Sequence, residues 1–245
     1  MKHQISHLRI LFISLVCLGL SGFSTVPAGA GDNPFVDLIS GSKIYFSHIA
    51  VGGGDHWETE IAVINPTNTK ASATLTPYDS KGKVSGRAVT ISLAAFGRYE
   101  AKVSSAFANA TSIAYIVLDS TTFGLKGYSK FFTGTVRASI VAASPKTDGI
   151  FTKIDHQGWT GIAFINTGSA TAHITLTAYS NGGQVIARST KQLAPGVKEV
   201  NIAERLFTQP LTAATYIGFH SDQGVVGFFL NGSTDGSMLD GSKIL

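Results

Sequence analysis

The densest group of side chains able to hold a metal is His48, Asp55, His56, Glu58 and Glu60. Imidazole and carboxylate both ligate zinc. Alternation along a strand would put Glu58 and Glu60 on one face, with His48 on the neighbouring strand. A metal site built from this stretch would therefore use His48, His56, Glu58 and Glu60. The competing reading is a solvated strand face, since charges spaced by two on a strand are ordinarily its wet side. That second reading is the stronger one. A later segment of matching sequence has Thr160 and Gly161 near the corresponding places. No cofactor is expected.

A second set of chemistry-bearing residues is aromatic. Trp57, Trp159, Tyr78 and Tyr179 could stack on the apolar faces of sugar rings. Both tryptophans precede apolar strands, where a large side chain fills a sandwich core. Tyr78 and Tyr179 fall on the polar face of their strands and are the better exposed pair.

Motifs for catalysis are missing from the chain. There is no G-x-S-x-G and no H-E-x-x-H. The two S-x-x-K matches, Ser40–Lys43 and Ser80–Lys83, lie in turn or strand contexts. Gly52-Gly53-Gly54 lacks the Lys-Ser/Thr of a phosphate loop and reads as a hairpin connection. Asp235 and Asp240 do not have the spacing of a calcium loop. The chain is read as not an enzyme.

The elements that position these residues come in two sets. Trp57 to Asn65 recurs as Trp159 to Asn166, one residue shorter. Ala73-Thr-Leu-Thr-Pro-Tyr78 recurs as Ile174-Thr-Leu-Thr-Ala-Tyr179. Leu93 to Gly97 recurs as Leu193 to Gly196, Ala114-Tyr-Ile116 as Thr215-Tyr-Ile217, and Gly124 and Gly127 as Gly224 and Gly227. A fixed period of this kind marks an internal duplication. Within each set apolar and polar residues alternate, the period of half-buried strands. Strands are expected near 43–50, 57–65, 71–79, 87–93, 97–103, 112–118 and 124–132, and again in the second set. Pro77 removes a ladder hydrogen bond, so its strand should be at an edge or near its end there. Short helical turns are expected at Ser104–Phe107 and Ala203–Phe207. Seven short strands per set, with turns about every 8–12 residues, predict an all-β protein of two tandem immunoglobulin-like β-sandwich repeats. The boundaries read as 31–141 and 150–245, with 142–149 as linker. Gly41-Ser-Lys-Ile44 reappears as Gly241-Ser-Lys-Ile244. Three readings stand for it: the opening of a truncated third unit, a last strand completing the second sandwich, or coincidence.

Residues 1–30 read as a signal peptide. Lys2 and Arg9 precede an uncharged apolar run, Ile10–Leu20, and Ala28-Gly29-Ala30 supplies a small-residue cleavage pattern. The run is too short for the roughly 20 residues of a membrane-spanning helix. Cys17 lies inside the run, and its neighbours do not suit lipid attachment. No membrane span is expected after cleavage. Removal of the signal takes away the single cysteine and two basic residues, so disulfides are not expected to contribute. Of 19 Lys+Arg, 17 then remain against 15 Asp+Glu. Such a balance, with no basic cluster, argues against a nucleic-acid partner.

The segment His48 to Pro66 resembles a repeat found in many secreted bacterial proteins of uncharacterised function. That repeat has a "GGGW–T–ALVNP" opening, a "VTLTAYD–G" strand, an "LAPG" turn and an "SDQxVxGF" close. Here the close is Tyr216-Ile-Gly-Phe-His-Ser-Asp-Gln-Gly-Val-Val-Gly-Phe228. The resemblance implies a sandwich that is periplasmic, at the cell surface or extracellular, with no catalytic residues. The expected function is an exported structural or interaction module whose partner is a protein or a cell-surface polysaccharide. The alternative is a carbohydrate-binding or adhesion module using exposed aromatic residues.

Overall fold

The computed structural model describes residues 42–245. The expected signal peptide and its cleavage point lie outside the described residues. The described chain is almost entirely β. In residues 42–141 the strands are β1 (Ser42–Phe46), β2 (Glu58–Ile64), β3 (Ala71–Tyr78), β4 (Val89–Leu93), β5 (Arg98–Lys102), β6 (Tyr115–Ser120), β7 (Lys126–Thr133) and β8 (Val136–Val141). A helical turn, α1 (Val103–Ala106), follows β5. In residues 146–243 they are β9 (Lys146–Phe151), β10 (Trp159–Asn166), β11 (Ala172–Tyr179), β12 (Val185–Leu193), β13 (Lys198–Ile202), β14 (Tyr216–Gly232) and β15 (Leu239–Lys243). A 3-10 turn, Ala203–Leu206, follows β13.

The first half forms two antiparallel sheets, in the order β1-β6-β3-β4 and β5-β2-β7-β8. The second half is paired in the same order. There β9 and β11 flank residues 216–221 of β14, while β10 and β15 flank its residues 225–232. β12 then extends β11, and β13 extends β10. A single strand thus does the work of β6 and β7 together. Pairing partners locate the cause. Ser120 and Ser221 sit at equivalent places, as do Gly127 and Gly227, but the stretch between them is one residue shorter in the second half. The extra residue in the first half makes a turn, with Gly124 at φ 86°.

Alternation decides which faces are buried. In β3, Ala71, Ala73 and Leu75 point inward; in β11, Ala172, Ile174, Leu176 and Ala178 do so. Leu75, Ile61 and Ile116 centre the first core, and Phe151, Ile162 and Phe164 the second. Complete burial of one such side chain contributes about 1.5–3 kcal/mol.

A buried asparagine closes each half at the same point. Asn65 donates from Nδ2 to the carbonyls of Thr69 (2.7 Å) and Ala94 (2.9 Å), and its Oδ1 accepts from the Thr67 amide. Asn166 donates to Ala170 (2.8 Å) and Leu193 (2.7 Å), and accepts from the Gly168 amide. One amide side chain therefore staples the loop after its strand to the turn before the next pair, and leaves no buried polar group of its own unpaired.

Several expectations are refined. The region read as a linker, 142–149, contains the start of β9, because Lys146–Phe151 pairs with β14. β8 is an eighth strand, not read from the sequence. Pro77 lies within an internal strand, near its end, beyond the last residue that pairs with β4. The two Gly-Ser-Lys-Ile segments play different parts: Ser42–Ile44 pairs with β6, whereas residues of β15 pair with the far end of β14, as β8 does with β7.

The halves meet through two apolar clusters. One contains Ala50, Trp57, Phe131 and Ile140 from the first half with Ala163, Phe228 and Leu230 from the second. The other joins Tyr45, Tyr115 and Val117 to Ile165 and Val226. β10 is consequently buried on both faces: Ile162 and Phe164 enter its own core, while Ala163 and Ile165 face the first half.

Candidate functional site

The junction leaves a crevice of 230 Å³ over the outer face of β1, β3 and β6. Period-2 alternation puts Lys43 and Tyr45 of β1, Thr76 and Tyr78 of β3, and Tyr115 and Asp119 of β6 on that face. The second half covers it with the Asn166–Gly168 loop and the turn at Gly196. The Asn166 staple therefore shapes this cover.

Tyr78 and Tyr115 stack with centroids 5.1 Å apart and planes 5° from parallel. The Tyr115 hydroxyl donates to the Gly196 carbonyl at 2.8 Å. Tyr45 stands beside Thr167 in the crevice wall, and burial pushes its hydroxyl up to about 12. Burial, then the neighbouring Tyr78, raises Tyr115 as well. Both groups are thus neutral hydroxyls at ordinary pH. Lys43 and Asp119 face each other across β1 and β6. Gly82 and Gly196 touch here. Each has positive φ, and a Cβ on Gly196 would stand 3.1 Å from the Gly82 Cα.

Beside the crevice, Lys198 crosses from the second half into the first. Its backbone amide donates to Ser80 (2.9 Å) and its Nζ to the Ala114 carbonyl (2.8 Å), with the Phe228 ring 5.4 Å away. It is 8% exposed, and burial without a carboxylate partner depresses its ammonium to about 7. His48 lies at the same junction between Phe131 and Phe228. Neither of its ring nitrogens has a hydrogen-bond partner. Burial, then Lys198, holds it well below the usual imidazole range.

The structure separates the residues suggested for a metal. His48 is buried, while His56 is exposed in the loop before β2 at φ 51°. Glu58 accepts from the Ser104 hydroxyl, and Glu60 pairs with Lys130 at 2.9 Å. No group of three or more His, Cys, Asp or Glu among the described residues is placed to hold a metal ion. Glu58 and Glu60 occupy a half-exposed charged face; His48 does not belong to it.

The aromatic candidates also part company. Trp57 is buried in the junction cluster, and Trp159 is half-buried against the same cluster. Strand register places Trp159 opposite Gly232 and Glu58 opposite Phe132, so the two tryptophans are not at equivalent positions. Tyr78 lines the crevice. Tyr179 stacks on Tyr216 at 5.1 Å in the second half, away from it. Sequence reasoning did not single out Tyr45, Thr76, Asp119 or Lys198. Alternation in β1 could have placed Tyr45 on the face opposite Ile44 and Phe46, but nothing local marks the loop that covers it.

Among the described residues, no helix is long and apolar enough to cross a membrane. No family model and no curated protein matches the chain.

Proposed function

We propose that this chain is an exported, non-catalytic structural and interaction module, periplasmic or at the cell surface, in which two copies of an immunoglobulin-like sandwich are locked into one rigid body. The observation that carries this reading is the burial of β10 on both faces. A flexible pair of domains would leave Ala163, Ile165, Phe228 and Leu230 exposed; here they form the joint. Inter-domain surfaces that are large and apolar suppress relative motion, which suits a spacer that presents its loops at fixed separation.

The immunoglobulin-like reading is supported by the central strands. β2 pairs with β5 and β3 with β6, as the B–E and C–F pairs do in that fold. The terminal strands are exchanged: β1 lies beside β6, where the last strand would be, and β7 lies beside β2, where the first would be. The repeated landmarks and the equal pairing order support duplication, and the resemblance to secreted bacterial repeats supports export.

The test is expression of the full chain, tagged at its C-terminus, in a bacterium, followed by fractionation, mass measurement and cross-linking in whole cells. The expected product is cleaved after Ala30, lies outside the cytoplasm and cross-links to an envelope protein or polysaccharide. Full-length material confined to the cytoplasm overturns export. Turnover of an envelope substrate by the purified protein overturns the non-catalytic reading.

A further inference from the structure

We propose that the crevice at the junction binds one neutral pyranose unit of a glycan. The proposal deepens the module reading by naming a ligand class, and it rests on the chemistry of the crevice wall.

The floor is aromatic. Tyr78 is half-buried and lines it, stacked on Tyr115, which like Tyr45 is buried behind it. The Tyr78 ring is the part that takes the apolar C–H face of a sugar. The rim is polar but balanced. Lys43 and Asp119 stand directly opposite each other, so the site offers a cation and a carboxylate with no net charge. A phosphate or a uronate would meet the Asp119 carboxylate as well as the ammonium. A neutral polyol can use both, donating to Asp119 and accepting from Lys43, with the Thr76 hydroxyl on the next strand over. The volume of 230 Å³ falls below the roughly 300–1,000 Å³ of drug-sized ligand sites, which suits a single sugar ring.

The second half provides an internal control. Tyr179 and Tyr216 repeat the stacked pair at the same 5.1 Å separation, so stacking alone belongs to the fold. But Ile150 stands where Tyr45 does, and Asp148 and His220 stand where Lys43 and Asp119 do. Among the described residues that face is open, with Ile150 43% exposed. What is particular to the crevice is Tyr45, the Lys43–Asp119 rim and the cover from Asn166–Gly168. The Tyr115 hydroxyl ties cover to floor, so the site is organised before anything enters it. One site per chain follows.

The experiment is saturation-transfer and titration NMR on the full protein. The probes are the methyl glycosides of glucose, galactose, mannose and N-acetylglucosamine, with galacturonate and glucose 6-phosphate as charged counterparts. At the efficiency usual for small ligands, a ring of this size corresponds to a Kd of about 1 mM. At least one neutral glycoside should bind 1:1 and more tightly than either charged probe. Asp119→Ala and Tyr78→Ala should each weaken it about tenfold or more, equivalent to losing one good polar or stacking contact. Tyr179→Ala should leave it unchanged. Asp119 is exposed, so its variant tests the site even if Tyr78→Ala disturbs folding. No binding by any neutral glycoside, tighter binding of the charged probes, or binding that Asp119→Ala leaves intact overturns the proposal. Such a failure leaves the module reading standing, whereas hydrolysis of a glycoside during titration would overturn that reading instead.

Discussion

At the scale of single residues, Lys198 and His48 set the acid sensitivity of the molecule. Both are buried at the junction, and neither faces a carboxylate that the described hydrogen bonds or ion pairs bring to it. Lys198 has a folded value of about 7 against an ordinary 10.5. Between those values the unfolded chain binds a proton that the folded chain declines, so stability rises with pH across the window and is lowest below it. His48 acts in the same sense lower down. Its folded value is well below 6.5, so stability falls further as pH drops beneath that figure. The melting temperature should therefore climb from pH 5 to about pH 9, above which the raised Tyr45 and Tyr115 hydroxyls oppose the rise. Lys198→Met keeps the length and removes the charge; it should stabilise the protein at pH 6 and flatten the profile above pH 7. A wild-type melting curve indifferent to pH, measured by circular dichroism, would show that Lys198 is solvated in solution.

At the scale of elements, the asparagine staples matter more than their size suggests. Asn65 and Asn166 each satisfy two carbonyls and one amide that strand pairing leaves over. Loss of such a side chain costs roughly 1–3 kcal/mol for each buried group left unpaired. Asn65→Ala and Asn166→Ala should destabilise to similar degrees in urea titrations. Their consequences for the crevice should differ, because only Asn166 holds the covering loop. Asn166→Asp should not rescue, since it keeps the acceptor and loses both donors. Equal rescue by aspartate would mean that the loop is held by other bonds.

At the scale of the whole molecule, the halves should unfold together. Phe228 lies in the junction and is 1% exposed, and replacement of a buried phenylalanine by alanine costs about 3–5 kcal/mol. Calorimetry should show one transition for the intact protein and two for Phe228→Ala, as the halves decouple. Two transitions in the unaltered protein would refute the rigid joint. The first half does not carry the surface that the second half uses in the joint. Where the second half presents Gly161, Phe228 and Leu230, the first half has Glu60, Tyr128 and Lys130. Where Gly196 touches Gly82, the first half has Phe96, 71% exposed and also at positive φ. A charged face and a bulky turn keep the first half from repeating the contact, a form of design against open-ended assembly.

The residue order by itself determined the strands and most of the turns. Alternation in Ala73-Thr-Leu-Thr-Pro-Tyr78 and the glycines at 82 and 183 are local signals, read over a few residues. The spare strand β8 and the onset of β9 escaped because their alternation is carried partly by Ser, Arg, Asp and Gly, which burial alone sorts into faces. Only the tertiary structure decided the junction. Ile61-Ala-Val-Ile64 and Ile162-Ala-Phe-Ile165 are nearly the same in composition, yet one borders a wet face and the other is enclosed on both. The difference lies in what stands opposite each strand, a property of distant residues. For the same reason nothing local marked Lys198, His48 was grouped with the charged residues of a solvated face, and the three tyrosines of the crevice stood as unrelated positions.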